Sequence, residues 1–452
     1  MTLLRLSALL AAVFLLHACG NKSNYQAFSH NPLLYSITVK KLNDIVLENN
    51  FPPVIASRNY AYANIAAYEV IAAGNDSAYQ SLAGQVHGLA KIPVPEKAAV
   101  DFPLAALLAF TTVGNAVTFP EGSMMDYHAY LLKEAEKAGM PDEMIEASKA
   151  YADTVSGRVL AWAKKDNYLQ TRSAEKYTVL QEDGRWIPTP PMYAQGMEAH
   201  WNEIRTIVLD SSSVCRPPAP PKYDMKDTNS VYYRDLMIVK RMGDSLTDIQ
   251  RHIADFWDDN PFKLNVSGHV MFATKKFSPP GHWMNITGIA ARKAGADFNE
   301  TVYACTETAI ALFEGFISCW DEKYRSNFVR PETVINRWID PNWRPYIQTP
   351  PFPSYTSGHS VISAAAAEVM THVYGDNFAF TDTSSVEFGI PPRSFTSFRQ
   401  AAIEAGNSRL YGGIHYPFDL SAGNLQGIKV GQLILSRLKM KKDQAIVSGQ
   451  KR

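Results

Sequence analysis

Apolar residues recur at three- and four-residue intervals through most of the chain, most clearly over 60–73, 104–117, 145–163 and 302–324. That spacing lines one face of an α-helix. The alternation of apolar and polar positions that marks a half-buried strand is nearly absent, so the pattern predicts an all-α protein built as a large helical bundle. Proline-rich runs interrupt the helices: Pro188-Thr189-Pro190-Pro191, Pro217-Pro218-Ala219-Pro220-Pro221 and Thr349-Pro350-Pro351-Phe352-Pro353. Such runs lock φ and remove backbone donors, which makes them stiff connectors between helices. The run at 217–221 is the best candidate boundary. It divides a helical N-terminal region, 20–240, expected to pack on the rest, from a core bundle, 241–452, that holds all the candidate chemistry. No internal repeat stands out.

The first eighteen residues read as a signal peptide. One Arg precedes an apolar run too short to span a bilayer, and polar residues follow at once. Leu16-His17-Ala18-Cys19 resembles a bacterial lipobox, although His17 departs from the usual pattern. The expectation is an exported bacterial lipoprotein, periplasmic or outer-membrane anchored, touching the membrane only through lipid on Cys19; a plain secreted protein is the alternative. Lys plus Arg and Asp plus Glu both number 44, so no net field draws the chain to nucleic acid or to an anionic surface. Any basic site must be local. Of the remaining cysteines, Cys305 and Cys319 lie fourteen positions apart on one helical stretch, roughly 21 Å along its axis, too far to pair. One of them could bridge to Cys215, but buried free thiols are the expectation, and no Cys/His spacing suggests zinc.

Three clusters carry chemistry. In the first, Lys323 precedes Arg330-Pro331. Pro331 disfavours helical geometry at Arg330, so the chain should turn there and start a new helix at the proline. The second is Pro353-Ser354-Tyr355-Thr356-Ser357-Gly358-His359, followed by an Ala-rich helical run. A helix N-terminus presents unpaired N–H groups and partial positive charge to an anion. Gly358 lets the backbone approach that anion, Ser357 can donate to it, and His359 at the rim can exchange a proton. In the third, Ser408-Arg409 leads through Gly412-Gly413 to His415, with Asp419 four positions later. Asp419 can take the Nδ1 proton of His415 and leave Nε2 for a metal or phosphorus centre. The Arg409 fork suits two oxygens of an oxyanion. Each cluster alone reads more readily as an ordinary helix cap or solvated face. Together they make an oxyanion cradle.

In this order and on helical segments, Lys-x6-Arg-Pro, Pro-Ser-x-x-Ser-Gly-His and Ser-Arg-x5-His-x3-Asp resemble the superfamily of vanadium-dependent haloperoxidases and type-2 phosphatidic acid phosphatases. The motifs span Lys323 to Asp419, and a looser resemblance in helical layout runs from about residue 245 to 440. The resemblance implies the all-α bundle of that superfamily. Phe352, ahead of the Ser-Gly-His step, and Trp320, three residues before Lys323, resemble the aromatics on the halide side in vanadium chloroperoxidases and bacterial iodoperoxidases. Thr356 departs from the fungal chloroperoxidases, which usually have proline there.

On that resemblance vanadate is the cofactor and hydrogen peroxide and a halide are the substrates, with a small organic acceptor as a further option. His415 would bond vanadium(V); Lys323, Arg330, Ser357, Gly358 and Arg409 would hold the vanadate oxygens. His359 would be the acid-base catalyst in forming a peroxovanadate, Lys323 would make the peroxide more electrophilic, and Asp419 would orient His415. Asp259, with Asp258 next, would supply the acid that supports Arg409 and His359. Trp320, Asp321 and Phe352 are the halide-side candidates. Iodide is the easiest halide to oxidise and the expected substrate, bromide the second. The alternatives are an acid phosphatase, with His415 forming a phosphohistidine, and an oxyanion-binding lipoprotein without turnover, against which His359 argues.

Overall fold

Helix follows helix through a computed structural model that describes residues 24–118, 123–260, 263–267, 270–274 and 276–442. The expected signal peptide and Cys19 lie outside these residues. The N-terminal region supplies α1 (Tyr25–Ser29), α2 (Pro32–Glu48), α3 (Pro53–Gly74), α4 (Phe102–Thr118), α5 (Ser123–Lys137), α6 (Asp142–Ala163) and α7 (Tyr168–Ser173). The second part supplies α8 (Val231–Asp244), α9 (Asp248–Phe256), α10 (Pro279–Ala294), α11 (Phe298–Ser326), α12 (Pro331–Trp338), α13 (Gly358–Tyr374), α14 (Phe398–Tyr411) and α15 (Pro417–Arg437). Two small antiparallel hairpins join them, β1 (Lys263–Ser267) with β2 (Val270–Thr274), and β3 (Phe380–Asp382) with β4 (Arg393–Phe395).

The predicted helical stretches fall within α3, α4, α6 and α11. α11 is the axis of the molecule. It is 29 residues long and opens on a capping box in which Asp297 and Glu300 satisfy each other's backbone N–H groups. Every residue from Thr301 to Lys323 is buried, so the helix is enclosed on all sides, its few charged groups included. α3 and α13 both pack against it. α15 meets α13 along Gly423, Gly427 and Gly431. A Cβ on Gly427 would stand 2.1 Å from the Val361 carbonyl oxygen, so only glycine allows this helix spacing.

One apolar core runs unbroken from Leu34 through α3, α4 and α11 to Met440, crossing the proline-rich run at 217–221. A smaller aromatic cluster beneath the second half joins Tyr232, Phe328, Tyr355, Tyr416 and Phe418. Cys215, Cys305 and Cys319 are free and buried.

Candidate active site

The C-terminus of α11 and the start of α12 bring in the first cations. α11 stops at Asn327, whose φ of 48° turns the chain, and Arg330 follows in extended conformation with Pro331 as first residue of α12. This is the turn the sequence predicts. Lys323 is fully buried and donates to the carbonyls of Pro353 (2.9 Å) and Ser354 (3.0 Å). Burial pushes its ammonium down to about 7. Arg330 donates from Nε to the Phe352 carbonyl (2.9 Å), and from Nη1 to the Ile414 carbonyl (2.8 Å) and His415 Nε2 (3.0 Å). Burial lowers it to about 9, which still leaves it charged at neutral pH.

The second cluster forms the N-terminus of α13. Ser357 is the cap, accepting from the Ser360 N–H at 3.3 Å, which leaves its own O–H to donate. Gly358 lies on the cavity wall, and a Cβ there would stand 3.8 Å from Phe316 and Trp320. That is ordinary contact with the protein, so what the glycine spares is cavity space. His359 exposes 16% of its side chain, and its Nε2 lies 3.9 Å from Asp259 Oδ2. Burial, then the Arg409 charge, holds it well below the usual histidine range.

Arg409, in the last turn of α14, donates to the Trp257 carbonyl at 2.7 Å. The chain then bends sharply. Gly413 has a φ of +77°, and a Cβ on Gly412 would collide with Ile347 at 2.3 Å. The bend delivers His415 to the cavity wall beside Arg409. His415 Nδ1 pairs with Asp419 Oδ2 at 2.7 Å, and the same oxygen accepts from Ser354 Oγ (2.6 Å) and the Tyr416 N–H (3.2 Å). Burial, then Arg330, Lys323 and Arg409, hold His415 well below its usual range, so the ring is neutral with its proton on Nδ1. Burial pushes Asp419 up to about 6, against the hydrogen bond from Ser354 and the Lys323 charge.

Of these groups Gly358, His359, Arg409 and His415 line a cavity of about 520 Å³, together with Phe316, Trp320, Phe352, Pro350 and Pro351 and with Thr189, Met192 and Met197. Phe352 stands over both cations, 5.0 Å from Lys323 and 5.1 Å from Arg330. The N-terminal region therefore does more than pack on the bundle, since Asn50, Pro53 and the 189–197 segment line the cavity. The Met197 carbonyl ties that segment to α11 by accepting from Trp320 (3.2 Å) and Tyr324 (2.7 Å).

Asp321 is not where the sequence reading places it: it does not line the cavity and takes a bidentate bond from Arg216, at 2.8 and 3.2 Å. Successive helical residues point about 100° apart, and Trp320 has the cavity face. Asp259 does reach the site, but its nearest partner is His282, whose Nδ1 lies 3.0 Å from Oδ1; His359 is farther off. Arg409 feels the charges of both Asp258 and Asp259. Ser354, His282 and Asp382 are the residues that sequence reasoning left out. Ser354 sits inside a motif already noted, whereas His282 and Asp382 are a hundred positions apart and give no local signal.

The family described as the VCPO second helical-bundle domain matches residues 303–443, which include every cluster above. No curated protein matches the chain in sequence. Among solved structures, the chain is similar to a bacterial vanadium-dependent iodoperoxidase reported as the first of its kind, with 43% identity, TM-score 0.86, and coverage of 92% of this chain and 98% of that one. It also matches a holo-type bacterial vanadium-dependent chloroperoxidase at 15% identity, TM-score 0.63, covering 85% of this chain and 91% of the other. An apo-type bacterial vanadium-dependent chloroperoxidase matches at 16% identity, TM-score 0.64, over 85% and 94%. These last two likenesses bear on the fold alone.

Proposed function

We propose that this chain, which belongs to the vanadium-dependent haloperoxidase family, oxidises iodide with hydrogen peroxide to hypohalous acid, with bromide as the second halide. Vanadate is the cofactor the family implies, and the residues present fit it. Arg330 Nη2, Arg409 Nε and His359 Nε2 are buried polar atoms without a hydrogen-bond partner, and all three belong to side chains of this site. Two guanidiniums, with Lys323 whose ammonium form an adjacent anion would favour, stand around a helix N-terminus and would balance a tetrahedral oxyanion.

Lys323, Arg330, Arg409, Ser357 and the Gly358 N–H would hold the oxygens. His415 would hold the metal through Nε2, whose lone pair accepts from Arg330 in this structure and would be released by it. Asp419 and Ser354 keep that lone pair pointed inward by fixing the proton on Nδ1. When bound, vanadate supplies a Lewis-acidic centre that activates peroxide toward halide without a change of oxidation state. His359, at the cavity wall, would accept a proton from incoming hydrogen peroxide and could return it to the oxygen that leaves as water. Lys323, held by two carbonyls, keeps one N–H for the bound oxygens. Trp320 and Phe352 give the halide a largely apolar wall, where a weakly hydrated ion such as iodide loses least on entry.

The observation that carries the reading is the meeting of Lys323, Arg330 and Arg409 around His415, which lines the cavity with its Nδ1 on Asp419 and its Nε2 accepting from Arg330. The deciding experiment measures iodide oxidation by the metal-free protein before and after vanadate is added, with phosphate release from a monoester followed in parallel. Vanadate-dependent iodide oxidation is expected. Its absence together with robust phosphate release would replace this reading with the phosphatase one.

The N-terminal sequence supports export and lipid anchoring at Cys19. Labelled palmitate should enter the wild-type chain and not Cys19→Ala; label in both would refute the anchor.

A further inference from the structure

Behind His359 lies a buried triad that the reaction described above does not use. His282, in the first turn of α10, is fully buried between two carboxylates. Its Nδ1 lies 3.0 and 3.1 Å from the two oxygens of Asp259, and its Nε2 lies 2.8 Å from Asp382 Oδ2. A neutral imidazole has one N–H and would set its lone pair against one of the carboxylates; only the protonated ring can donate to both. Burial opposes that charge, yet Asp259 and Asp382 together raise the group to about 10. The ring is also clamped mechanically. It stacks on Trp257 at 4.6 Å, and Phe277 meets it edge-on at 4.9 Å. Asp382 is anchored in turn by the N–H and hydroxyl of Ser384, at the end of β3.

We propose that His282 is a positioning residue for proton transfer at His359: held as an imidazolium between Asp382 and Asp259, it fixes where the Asp259 carboxylate points and how much negative charge that carboxylate presents to His359. Asp259 Oδ2 lies 3.9 Å from His359 Nε2; Arg409, His282 and Lys323 also act on the ring, the Trp257 backbone hydrogen-bonds it, and His415 is a further neighbour. Asp259 favours the protonated ring, and the three cations disfavour it. Without His282 the Asp259 charge would act undiminished. His359 would stay protonated to higher pH and lose its capacity to accept a proton from peroxide. The triad gives the hairpin of β3 and β4 a task, since Asp382 is linked to Asp259 through His282.

The kinetic arm of the test rests on the haloperoxidase reading, and the spectroscopic arm does not. In the vanadate-free full chain labelled with 15N-histidine, both ring nitrogens of His282 should give protonated shifts from pH 6 to 8.5; titration to a neutral ring within that range overturns the proposal. In the vanadate-loaded enzyme, the acidic limb of kcat/KM for hydrogen peroxide should move up by about one pH unit in His282→Gln. It should move down in Asp382→Asn, because that change removes a negative charge where the first removes a positive one. Packing damage alone would lower the rate without moving the limbs in opposite directions. Unmoved limbs, or limbs displaced the same way, refute the proposal. If the loaded enzyme has no vanadate-dependent turnover, the haloperoxidase reading falls, while the nitrogen shifts still decide the charge on His282.

Discussion

Asp419→Asn separates two opposed effects at the centre of the site. The carboxylate oxygen Oδ2 accepts from His415 Nδ1 at 2.7 Å, Ser354 Oγ at 2.6 Å and the Tyr416 N–H at 3.2 Å. An amide oxygen could keep these contacts but not the charge. A hydrogen bond to a charged group contributes about 1 kcal/mol more than a neutral one. Weakening the two short bonds therefore costs about 2 kcal/mol, and an amide turned the other way would offer His415 an N–H and drive its proton to Nε2. If this loss appears as poor presentation of the His415 lone pair, vanadate should bind about 30-fold more weakly. Simple electrostatics predicts the reverse, since removing one negative charge from beside Lys323 and Arg330 should tighten the hold on an anion. Equilibrium dialysis against vanadate, with total vanadium measured on both sides, decides between them. An Asp419→Asn protein that binds vanadate as tightly as wild type, or more so, would refute the claim that Asp419 acts by orienting His415.

Two further predictions concern residues outside the cradle. Asp321→Asn should leave the KM for iodide within about twofold of wild type and cost about 1 kcal/mol or less in stability, because Arg216 is 47% exposed and the pair is screened; a large change in halide selectivity would return Asp321 to the cavity face. Glu307, buried in α11 with Tyr303 donating to it at 3.1 Å, is pushed by burial from 4.5 up to about 7. A carboxyl raised on folding contributes its full stability below the unfolded value and loses it as pH rises toward 7, so Glu307→Gln should match wild type in Tm near pH 5 and exceed it by a few degrees at pH 8. A Tm difference that stays constant across that range would show that Glu307 is not the group titrating.

The sequence by itself determined the helices and the positions of the cradle residues along them, because both depend on short-range geometry. Apolar spacing marked α3, α4, α6 and α11. Pro331 forced Arg330 out of helical conformation, and the four-residue interval from His415 to Asp419 brought the two side chains within 2.7 Å. Tertiary packing decided what depends on neighbours distant in the chain. Asp321 and Trp320 are adjacent in sequence, yet Arg216 takes one and the cavity the other. The segment from Thr189 to Met197 became a cavity wall because the Met197 carbonyl found Trp320 and Tyr324. Asp259, His282 and Asp382 come together from three separate segments. No spacing rule joins such residues, because their contact energy is gained only after the whole core has closed around them.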